Sequence, residues 1–381
     1  MARRRPMRIL LTANTAFALT NFRLGLIRAL RADGHEVFVL VPDDAGVARL
    51  VDEGCQFRPL SMNRRGTHVF EETMTVLNLM KVFREVRPDA VLGYTIKNNL
   101  YGAFAARMYG IPFIPNVTGL GKAFAQDGVT KRVALWAYRA AFFKCPKVFF
   151  QNRYDMEVML SNGQVLPDQA AVLPGSGVNL GQFQITELPG HQAAPTFLFI
   201  GRLLWDKGVG EFVDAAKQLK VDYPQAQFQL LGDFEVEGTD AVPKATVEAW
   251  HRSGIVDYLG RVDDVRTVIS QSDCVVLPTY YREGTPRSLL EAAAMARPVI
   301  TTKTPGCEDV VMDGASGFLV AARSLEDLKQ RMAAIASMSP EHRSQMGREG
   351  RALMEKKYDE EYVVAAYRNA LNDIERSRRV T

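Results

Sequence analysis

Short apolar runs alternate with longer segments of helical periodicity along most of the chain. In the first half, runs at 7–11, 36–41, 90–93, 111–114 and 147–150 have the length and composition of buried strands. Helical patterns lie between them, as at 22–31, which ends at a glycine-containing turn. This alternation predicts a parallel sheet with helices on both faces.

The alternation is interrupted once and then resumes. Two turn-rich stretches, 174–177 and 188–192, bracket a segment with little predicted structure. Further apolar runs follow at 196–200, 228–232, 274–277 and 298–301. We therefore predict an α/β protein with two Rossmann-like domains, residues 1–180 and 192–360. We expect them to face each other across a cleft, because substrates commonly bind between domains and beyond the carboxyl ends of parallel strands.

Charge is distributed unevenly between the two halves. Residues 1–180 hold 23 Lys+Arg against 14 Asp+Glu, a balance of +9, and the remainder holds 24 against 29, a balance of −5, which sums to the net +4. The basic half is suited to an anionic partner, and nucleic acid, a phosphorylated lipid and an anionic bilayer would each qualify.

Cysteine usage and the amino terminus indicate a cytoplasmic protein. The four cysteines are far apart and form no Cys-x-x-Cys pair, which argues against a disulfide scaffold or a zinc site. The first 18 residues begin with three arginines, as a signal peptide does, but Thr12 and Asn14 interrupt the apolar run. A buried first strand is the better interpretation, and no apolar stretch approaches the length of a membrane-spanning helix.

The first candidate motif follows the predicted strand 196–200. Gly201 and Arg202 come directly after it, and Lys207 and Gly208 precede a predicted helix. A guanidinium can bind two phosphate oxygens, an ammonium adds a point charge, and a helix start adds its partial positive charge. The motif is suited to a diphosphate, although Arg and Lys at a surface turn are also common.

The second candidate motif, residues 283–291, follows the strand 274–277. Thr285 is a plausible N-cap and Pro286 a good first helical residue, so a helix is predicted to start here. The amides at that start could hold hydroxyls or a phosphate. Glu283 and Glu291 could accept hydrogen bonds from hydroxyls at two points along an elongated ligand, and the alanines beside Glu291 indicate that it is partly buried.

Together the two motifs resemble those of the retaining glycosyltransferase family 4, whose fold is GT-B. The resemblance extends over nearly the whole chain, including 95–102, 116–121 and 304–320. The chain is similar to bacterial members that extend sugars linked to undecaprenyl diphosphate, including lipid-linked bacillosamine. Thr285 and Arg287 stand where Phe or Val is often found in the family.

The resemblance implies a role for each matched residue of the second domain. Arg202 and Lys207 would neutralise the diphosphate of a nucleotide-sugar donor, with Glu283 at the transferred sugar and Glu291 at the ribose. Arg261 would flank the base. The remaining implied donor contacts lie in the two motifs: Gly201, Gly284, Thr285, Pro286, Ser288 and Leu289.

The resemblance also implies the acceptor side, the cofactor requirement and the chain end. Residues of the first domain assigned to the acceptor or its loops are Asn21, Arg23, Lys97, Gly119 and Gly121. No cofactor and no metal are expected, because Asp-x-Asp, the usual metal clamp of the other large glycosyltransferase fold, does not occur. Residues 361–381 are expected to return to the first domain as a helix, with an apolar stripe formed by Tyr362, Ala366, Ala370 and Ile374.

A third segment, 131–144, combines basic residues with Trp136, Phe142 and Phe143. It is either an amphipathic helix lying on an anionic membrane, which would make the protein peripheral on the inner face of the cytoplasmic membrane, or an ordinary core helix. Arg64 and Arg65 would be natural neighbours for lipid phosphates.

The expected function is transfer of a sugar, such as an N-acetylhexosamine, from a UDP-sugar to a polyprenyl-diphosphate-linked saccharide in bacterial surface glycan or glycoprotein glycan assembly. The alternatives are transfer to a soluble acceptor and a non-hydrolysing nucleotide-sugar epimerase. An epimerase would need a histidine near the sugar, and none of the five histidines lies in the strong motifs. A nucleic-acid binder would explain the basic half but not the carboxylates, so no nucleic-acid partner is expected.

Overall fold

The computed structural model describes residues 5–62, 69–120, 129–189, 195–234 and 240–380. The chain divides into two compact units, one formed by Met1–Gly177 with Glu360–Thr381 and the other by Val178–Asp359. Each unit contains a parallel sheet with helices, as the alternating pattern predicts.

The sheet of the first unit has seven strands in the order β3-β2-β1-β4-β5-β6-β7. Its strands are β1 (Arg8–Thr12), β2 (Glu36–Val41), β3 (Gln56–Pro59), β4 (Ala90–Tyr94), β5 (Phe113–Val117), β6 (Val148–Phe150) and β7 (Ala170–Val172). Its helices are α1 (Ala16–Phe22), α2 (Leu24–Ala32), α3 (Val47–Asp52), α4 (Val69–Val86), α5 (Ile96–Met108), α6 (Val129–Phe142) and α7 (Arg153–Ser161), with the final helix α14 (Glu360–Val380).

The sheet of the second unit has six strands in the order β10-β9-β8-β11-β12-β13. These are β8 (Thr196–Ile200), β9 (Gln227–Leu231), β10 (Asp257–Gly260), β11 (Cys274–Leu277), β12 (Val299–Thr302) and β13 (Gly317–Val320). The helices are α8 (Val209–Asp222), α9 (Lys244–Arg252), α10 (Val265–Ser270), α11 (Arg287–Ala294), α12 (Leu325–Ser337) and α13 (Pro340–Lys357). Short 3-10 helices occupy Trp205–Lys207 and Glu308–Val310.

Strand β1 illustrates how the first sheet buries both faces. Ile9 and Leu11 belong to one apolar cluster, and Leu10 belongs to the cluster on the opposite side. Successive side chains of a strand point to opposite faces, so a strand buried on both faces must be apolar at every position. This requirement explains why the central strands appear as continuous apolar runs in the sequence.

The first helical segment differs from the prediction of one helix over 22–31. The structure has two helices, and α1 begins six residues earlier, at Ala16. The Thr15 side chain accepts a hydrogen bond from the Ala18 amide and caps α1, while Arg23 separates α1 from α2. The apolar pattern before residue 22 is too short to indicate a separate helix.

The segment 178–187 packs on the second unit, although the prediction began the second domain at 192. Val178 donates its amide to the carbonyl of Tyr358, and Phe183 is buried in the core of that unit. The buried Arg297 guanidinium donates to the carbonyls of Thr186 and Glu187 at 2.8 Å each. Side-chain bonds from distant residues therefore hold a segment that has little regular structure of its own.

The final helix α14 packs on the sheet of the first unit. Its residues Val363, Tyr367, Leu371 and Ile374 are buried in the same cluster as Ile9. The predicted stripe is wrong at its first position, since Tyr362 is 49% exposed. The buried face is wider than the four-residue stripe, because Val363, Val364 and Leu371 also contribute to it.

Tyr367 provides a test of how much α14 contributes to the stability of the first unit. It is fully buried, its ring contacts Phe149, and its hydroxyl accepts a hydrogen bond from Asn116 at 3.0 Å. Tyr367→Ala should lower the free energy of unfolding by about 3–5 kcal/mol, and Tyr367→Phe by about 1 kcal/mol. Denaturant unfolding, with hydrogen exchange of the β1 and β4 amides, measures both effects.

The exposed Tyr362 is the matched control. Tyr362→Ala should change the free energy of unfolding by no more than about 0.5 kcal/mol. Equal effects of the alanine substitutions at 362 and 367 would show that α14 does not support the sheet as described.

Candidate active site

The loops that follow β8 and β11 come together at the carboxyl edge of the second sheet. Lys207 and Glu283 form an ion pair across these loops, with side chains only 11% and 12% exposed. Lys207 also lies over the ring of Tyr281, 5.3 Å from its centre. The pair joins the two motifs that sequence analysis identified separately.

The backbone of the first loop fixes the position of the second. The carbonyl of Asp206 accepts hydrogen bonds from the amides of Tyr280 and Tyr281 at 2.9 and 3.0 Å, and from the Thr279 hydroxyl at 3.2 Å. A Cβ on Gly208, which has a φ of +79°, would lie 2.3 Å from the carbonyl oxygen of Pro278. Glycine at 208 is therefore required for this close approach.

Glu283 is held from several sides. Besides Lys207, the Thr279 hydroxyl lies 3.3 Å from Oε1 of the carboxylate. A Cβ on Gly306 would lie 1.7 Å from the carbonyl oxygen of Gly284, so the turn after β12 packs directly on the Glu283 loop. The carboxylate is thus placed by contacts from three strand-end loops.

Glu291 lies on α11 and forms an ion pair with Arg287, whose Nε donates to Oε1 at 2.9 Å. The pKa of the Glu291 carboxyl lies above its usual value because burial raises it; the nearby Arg287 offsets this rise only in part, and Asp264 adds to it. The pairing with Arg287 favours the ionised form that can accept hydrogen bonds from two hydroxyls.

The start of α11 differs by one residue from the prediction. The helix begins at Arg287 and Pro286 occupies the N-cap position, whereas Thr285 was expected there. Pro286 has an extended backbone, with φ −64° and ψ 120°, and makes no side-chain cap bond. The first-turn amides of Arg287, Ser288 and Leu289 have no acceptor within the helix and are suited to an anion.

The other predicted donor residues lie at the same edge with different exposure. Burial raises the pKa of the Tyr281 hydroxyl, Glu283 raises it further, and the exposed Arg202 lowers it, so the charge of Arg202 lies near the Tyr281 ring. Arg261 is exposed beside Asp233, 3.8 Å away. Leu289 is fully buried in the core, so only its backbone amide could contact a ligand.

Arg23 is the best-defined predicted residue of the first unit. Its side chain is buried, and its guanidinium lies over the ring of Tyr94, 4.7 Å from the centre. Nη1 donates to the carbonyl of Phe22 at 3.1 Å, and Nε has no hydrogen-bond partner among the residues described. Tyr94 ends β4, so Arg23 lies at the carboxyl edge of the first sheet.

The remaining first-unit residues lie near the ends of β4 and β5 or in α1. Lys97, in the first turn of α5, forms an ion pair with Glu72 of α4. Gly119 follows β5 with a φ of +129°, Asn21 is exposed in α1, and Gly121 lies outside the described residues. Among the described ranges, no group of three or more His, Cys, Asp or Glu side chains could hold a metal ion.

Sequence analysis assigned no role to three residues that contact the candidate site. Thr279 and Tyr281 contact the Glu283–Lys207 pair, and Arg287 forms an ion pair with Glu291. The signal for the first two was their position directly after β11, where side chains meet the ligand edge. The signal for Arg287 was its spacing of four residues from Glu291 on one helix.

The fold and the two strand-end sites define the GT-B class of two-domain α/β proteins. Residues 19–175 match the family described as "Glycosyl transferase 4-like domain", and residues 194–338 match "Glycosyl transferases group 1". The chain belongs to the glycosyltransferases that combine these two domains, and its fold is GT-B.

Two relatives are similar to this chain in sequence over most of its length. The N,N′-diacetylbacillosaminyl-diphospho-undecaprenol α-1,3-N-acetylgalactosaminyltransferase of Campylobacter jejuni is 28% identical, covering 86% of this chain and 88% of that protein. The UDP-Gal:α-D-GlcNAc-diphosphoundecaprenol α-1,3-galactosyltransferase of Escherichia coli is 23% identical over 69% of this chain and 70% of that protein. The crystal structure of Anabaena HepE with UDP and glucose has a TM-score of 0.78 at 16% identity, covering 96% of this chain and 99% of that one.

The Lys207 cation should be essential for transfer. Lys207→Ala should lower kcat/KM, with a loss of about 2–4 kcal/mol of transition-state stabilisation, because Lys207 is the cation paired with Glu283 where the two loops meet. Initial rates of nucleotide release measure the loss. Lys217→Ala, an exposed lysine on α8, is the control and should behave like the wild type. Near-normal turnover of the folded Lys207 variant would exclude this residue from the site.

The Arg287–Glu291 pair predicts a shift in the pH profile. Arg287→Met removes the cation that lowers the Glu291 pKa, so this pKa rises and the carboxylate is lost at a higher pH as the solution is acidified. The acidic limb of kcat/KM for the donor should therefore move to higher pH. Arg252→Met, at an exposed position of α9, should leave the limb unchanged. An unshifted profile for Arg287→Met would contradict the proposed control of Glu291.

Proposed function

We propose that this glycosyltransferase is a retaining, metal-independent enzyme that transfers an N-acetylhexosamine from a UDP-sugar to a saccharide linked to polyprenyl diphosphate. The observation that carries the donor side is the Lys207–Glu283 pair at the carboxyl edge of the second sheet, beside the amino end of α11. That arrangement offers a cation and backbone amides for a diphosphate and carboxylates for hydroxyls.

The proposed chemistry places negative charge on the leaving diphosphate. As the bond between the anomeric carbon and the diphosphate breaks, Lys207, Arg202 and the α11 amides stabilise the charge that forms, without a metal ion. An acceptor hydroxyl forms the new bond to the same carbon from the same face and gives its proton to the leaving phosphate oxygen. Glu283 holds the transferred sugar, and Glu291 holds the ribose.

The relatives support the substrate classes. The names of the two relatives specify undecaprenyl-diphosphate-linked acceptors, an N-acetylgalactosaminyl or galactosyl group, and an α-1,3 linkage. UDP appears in the name of one relative and in the HepE structure. An α-linked product follows from retention when the donor carries its sugar as the α anomer. Arg23 and Lys97 are the cations proposed to meet the acceptor diphosphate.

The test supplies the purified chain with several nucleotide sugars and two acceptors, a short-chain polyprenyl-diphosphate saccharide and the same saccharide without the lipid diphosphate. We expect nucleotide release and an α-linked product with a UDP-N-acetylhexosamine and the diphosphate-linked acceptor, both unaffected by EDTA. Mass spectrometry identifies the product and NMR its anomeric configuration.

Three results would contradict parts of the proposal. Activity abolished by EDTA and restored by Mg²⁺ would exclude the metal-independent mechanism. Equal use of the lipid-free saccharide would exclude the diphosphate-linked acceptor. Conversion of the nucleotide sugar into an epimer without any acceptor would replace transfer by epimerisation.

A further inference from the structure

Two neighbouring helices of the first unit expose a face of aromatic, aliphatic and basic side chains. We call it the α5–α6 surface; it consists of Phe104, Arg107 and Met108 of α5, Arg132, Val133, Trp136 and Arg139 of α6, and Phe143, which follows α6. It belongs to neither group of candidate site residues. The α6 residues and Phe143 lie in the segment 131–144 identified from sequence, whereas the α5 residues join the surface only through packing.

The core does not account for this apolar face. In α6, Tyr138 and Phe142 are buried, and their rings contact each other with centroids 5.2 Å apart. The same helix leaves Trp136 72% exposed, and Phe143 just beyond it is 67% exposed. Large aromatic side chains at this exposure, clustered on one face, commonly mark an interaction site.

Arg107 links the two helices within the surface. Its Nη1 donates to the carbonyl of Ala140 at 2.5 Å, and its guanidinium lies 5.6 Å from the centre of the Phe104 ring. Together with Trp136, Arg139 and Phe143 it lines a shallow depression. Cationic and aromatic groups therefore alternate across one continuous surface.

The charge of the surface is of one sign. Helices α5 and α6 contain no Asp or Glu, and Arg107, Arg132 and Arg139 all contribute to the exposed face. A symmetric contact with a second copy of this chain would bring these cations together, which is unfavourable. An anionic lipid layer suits both the basic and the aromatic side chains of the surface. Lipid phosphates accept hydrogen bonds from the cations, and the aromatic rings enter the membrane interface.

We propose that the α5–α6 surface docks the first unit onto an anionic membrane, with Trp136 and Phe143 inserted among the lipid head groups. The contacts above carry this proposal, and its role in catalysis rests on the proposed lipid-linked acceptor. Lys97, in the first turn of α5, lies ten residues before Arg107, or about 15 Å along the helix axis. An acceptor diphosphate at Lys97 would thus stay close to the bilayer that holds its lipid.

Vesicle flotation of the full chain tests the docking. Wild-type protein should float with phosphatidylcholine vesicles containing about one third phosphatidylglycerol at low ionic strength, and this binding should fall in about 0.5 M salt. Trp136→Ser with Phe143→Ser should reduce the bound fraction by about tenfold, as should Arg132→Glu with Arg139→Glu. Phe142 is left unchanged because it is buried.

Matched controls distinguish binding through the α5–α6 surface from nonspecific binding to vesicles. Leu166→Ser with Val221→Ser removes two exposed apolar side chains elsewhere, and Arg153→Glu with Arg376→Glu reverses two exposed cations outside the surface. Both controls should float like the wild type, and thermal unfolding should show that every variant is folded.

Three results would overturn the proposal. They are wild-type protein that does not float with anionic vesicles, flotation that survives the substitutions in α6 and Phe143, and flotation undiminished when phosphatidylglycerol is omitted. A wild-type dimer that becomes monomeric in the Trp136→Ser/Phe143→Ser variant, without flotation, would assign the surface to a second copy and also overturn docking.

The membrane proposal can fail independently of the proposed function. The water-soluble short-chain acceptor needs no membrane, so the surface variants should transfer sugar to it at the wild-type rate. Loss of flotation with retained transfer supports docking. Transfer without flotation of the wild type rejects docking and leaves the enzyme assignment intact. Docking without transfer rejects the proposed reaction alone.

Discussion

Strand β11 pairs in parallel with β8, so the loops that follow both strands leave the sheet at the same edge. This constraint brings Lys207 within contact of Glu283 although 76 residues separate them. The pair is largely buried, and removing one partner would leave an uncompensated charge with little access to water. The carbonyl of Asp206 accepts backbone hydrogen bonds from the second loop, and Gly208 approaches Pro278 closely. These contacts fix the two loops against each other. A cation, a carboxylate and a helix start therefore converge at one edge of the sheet.

The same constraint applies to the first unit, where β1, β4 and β5 are neighbours. The polar groups at their ends are buried and need internal partners. Asn98 donates to Thr12 at 2.7 Å, Asn99 to the Asn116 carbonyl at 2.8 Å, and Asn116 to Tyr367 at 3.0 Å. The last bond joins β5 to α14, so the final helix stabilises the carboxyl end of β5. Such bonds restrict the edge where the acceptor is proposed to bind.

The predicted and observed structures differ mainly at the edges of the sheets and where a cap or a distant side chain sets a boundary. The central strands were predicted because both of their faces are covered, whereas the four edge strands, β3, β7, β10 and β13, were not among the predicted strands. The edge strands β3, β7 and β10 are half exposed, whereas β13 is buried but only four residues long. The early start of α1 and the attachment of 178–187 to the second unit depend on a cap and on Arg297, which apolar periodicity does not detect. Tyr281 and Arg287 belong to the site through contacts that the sequence indicated only by position.

The sequence by itself determined the fold class, the two strand-end motifs and the similarity to GT-B glycosyltransferases. These properties depend on local patterns, namely apolar runs of strand length, glycine turns and fixed spacings of charged residues. Tertiary structure decided which charges pair, where the second unit begins, and which aromatic residues are buried. Phe142 and Phe143 are adjacent in the chain, yet one is fully buried and the other is 67% exposed. Only packing against neighbouring elements distinguishes them, because burial depends on what the rest of the chain brings to each side of a helix.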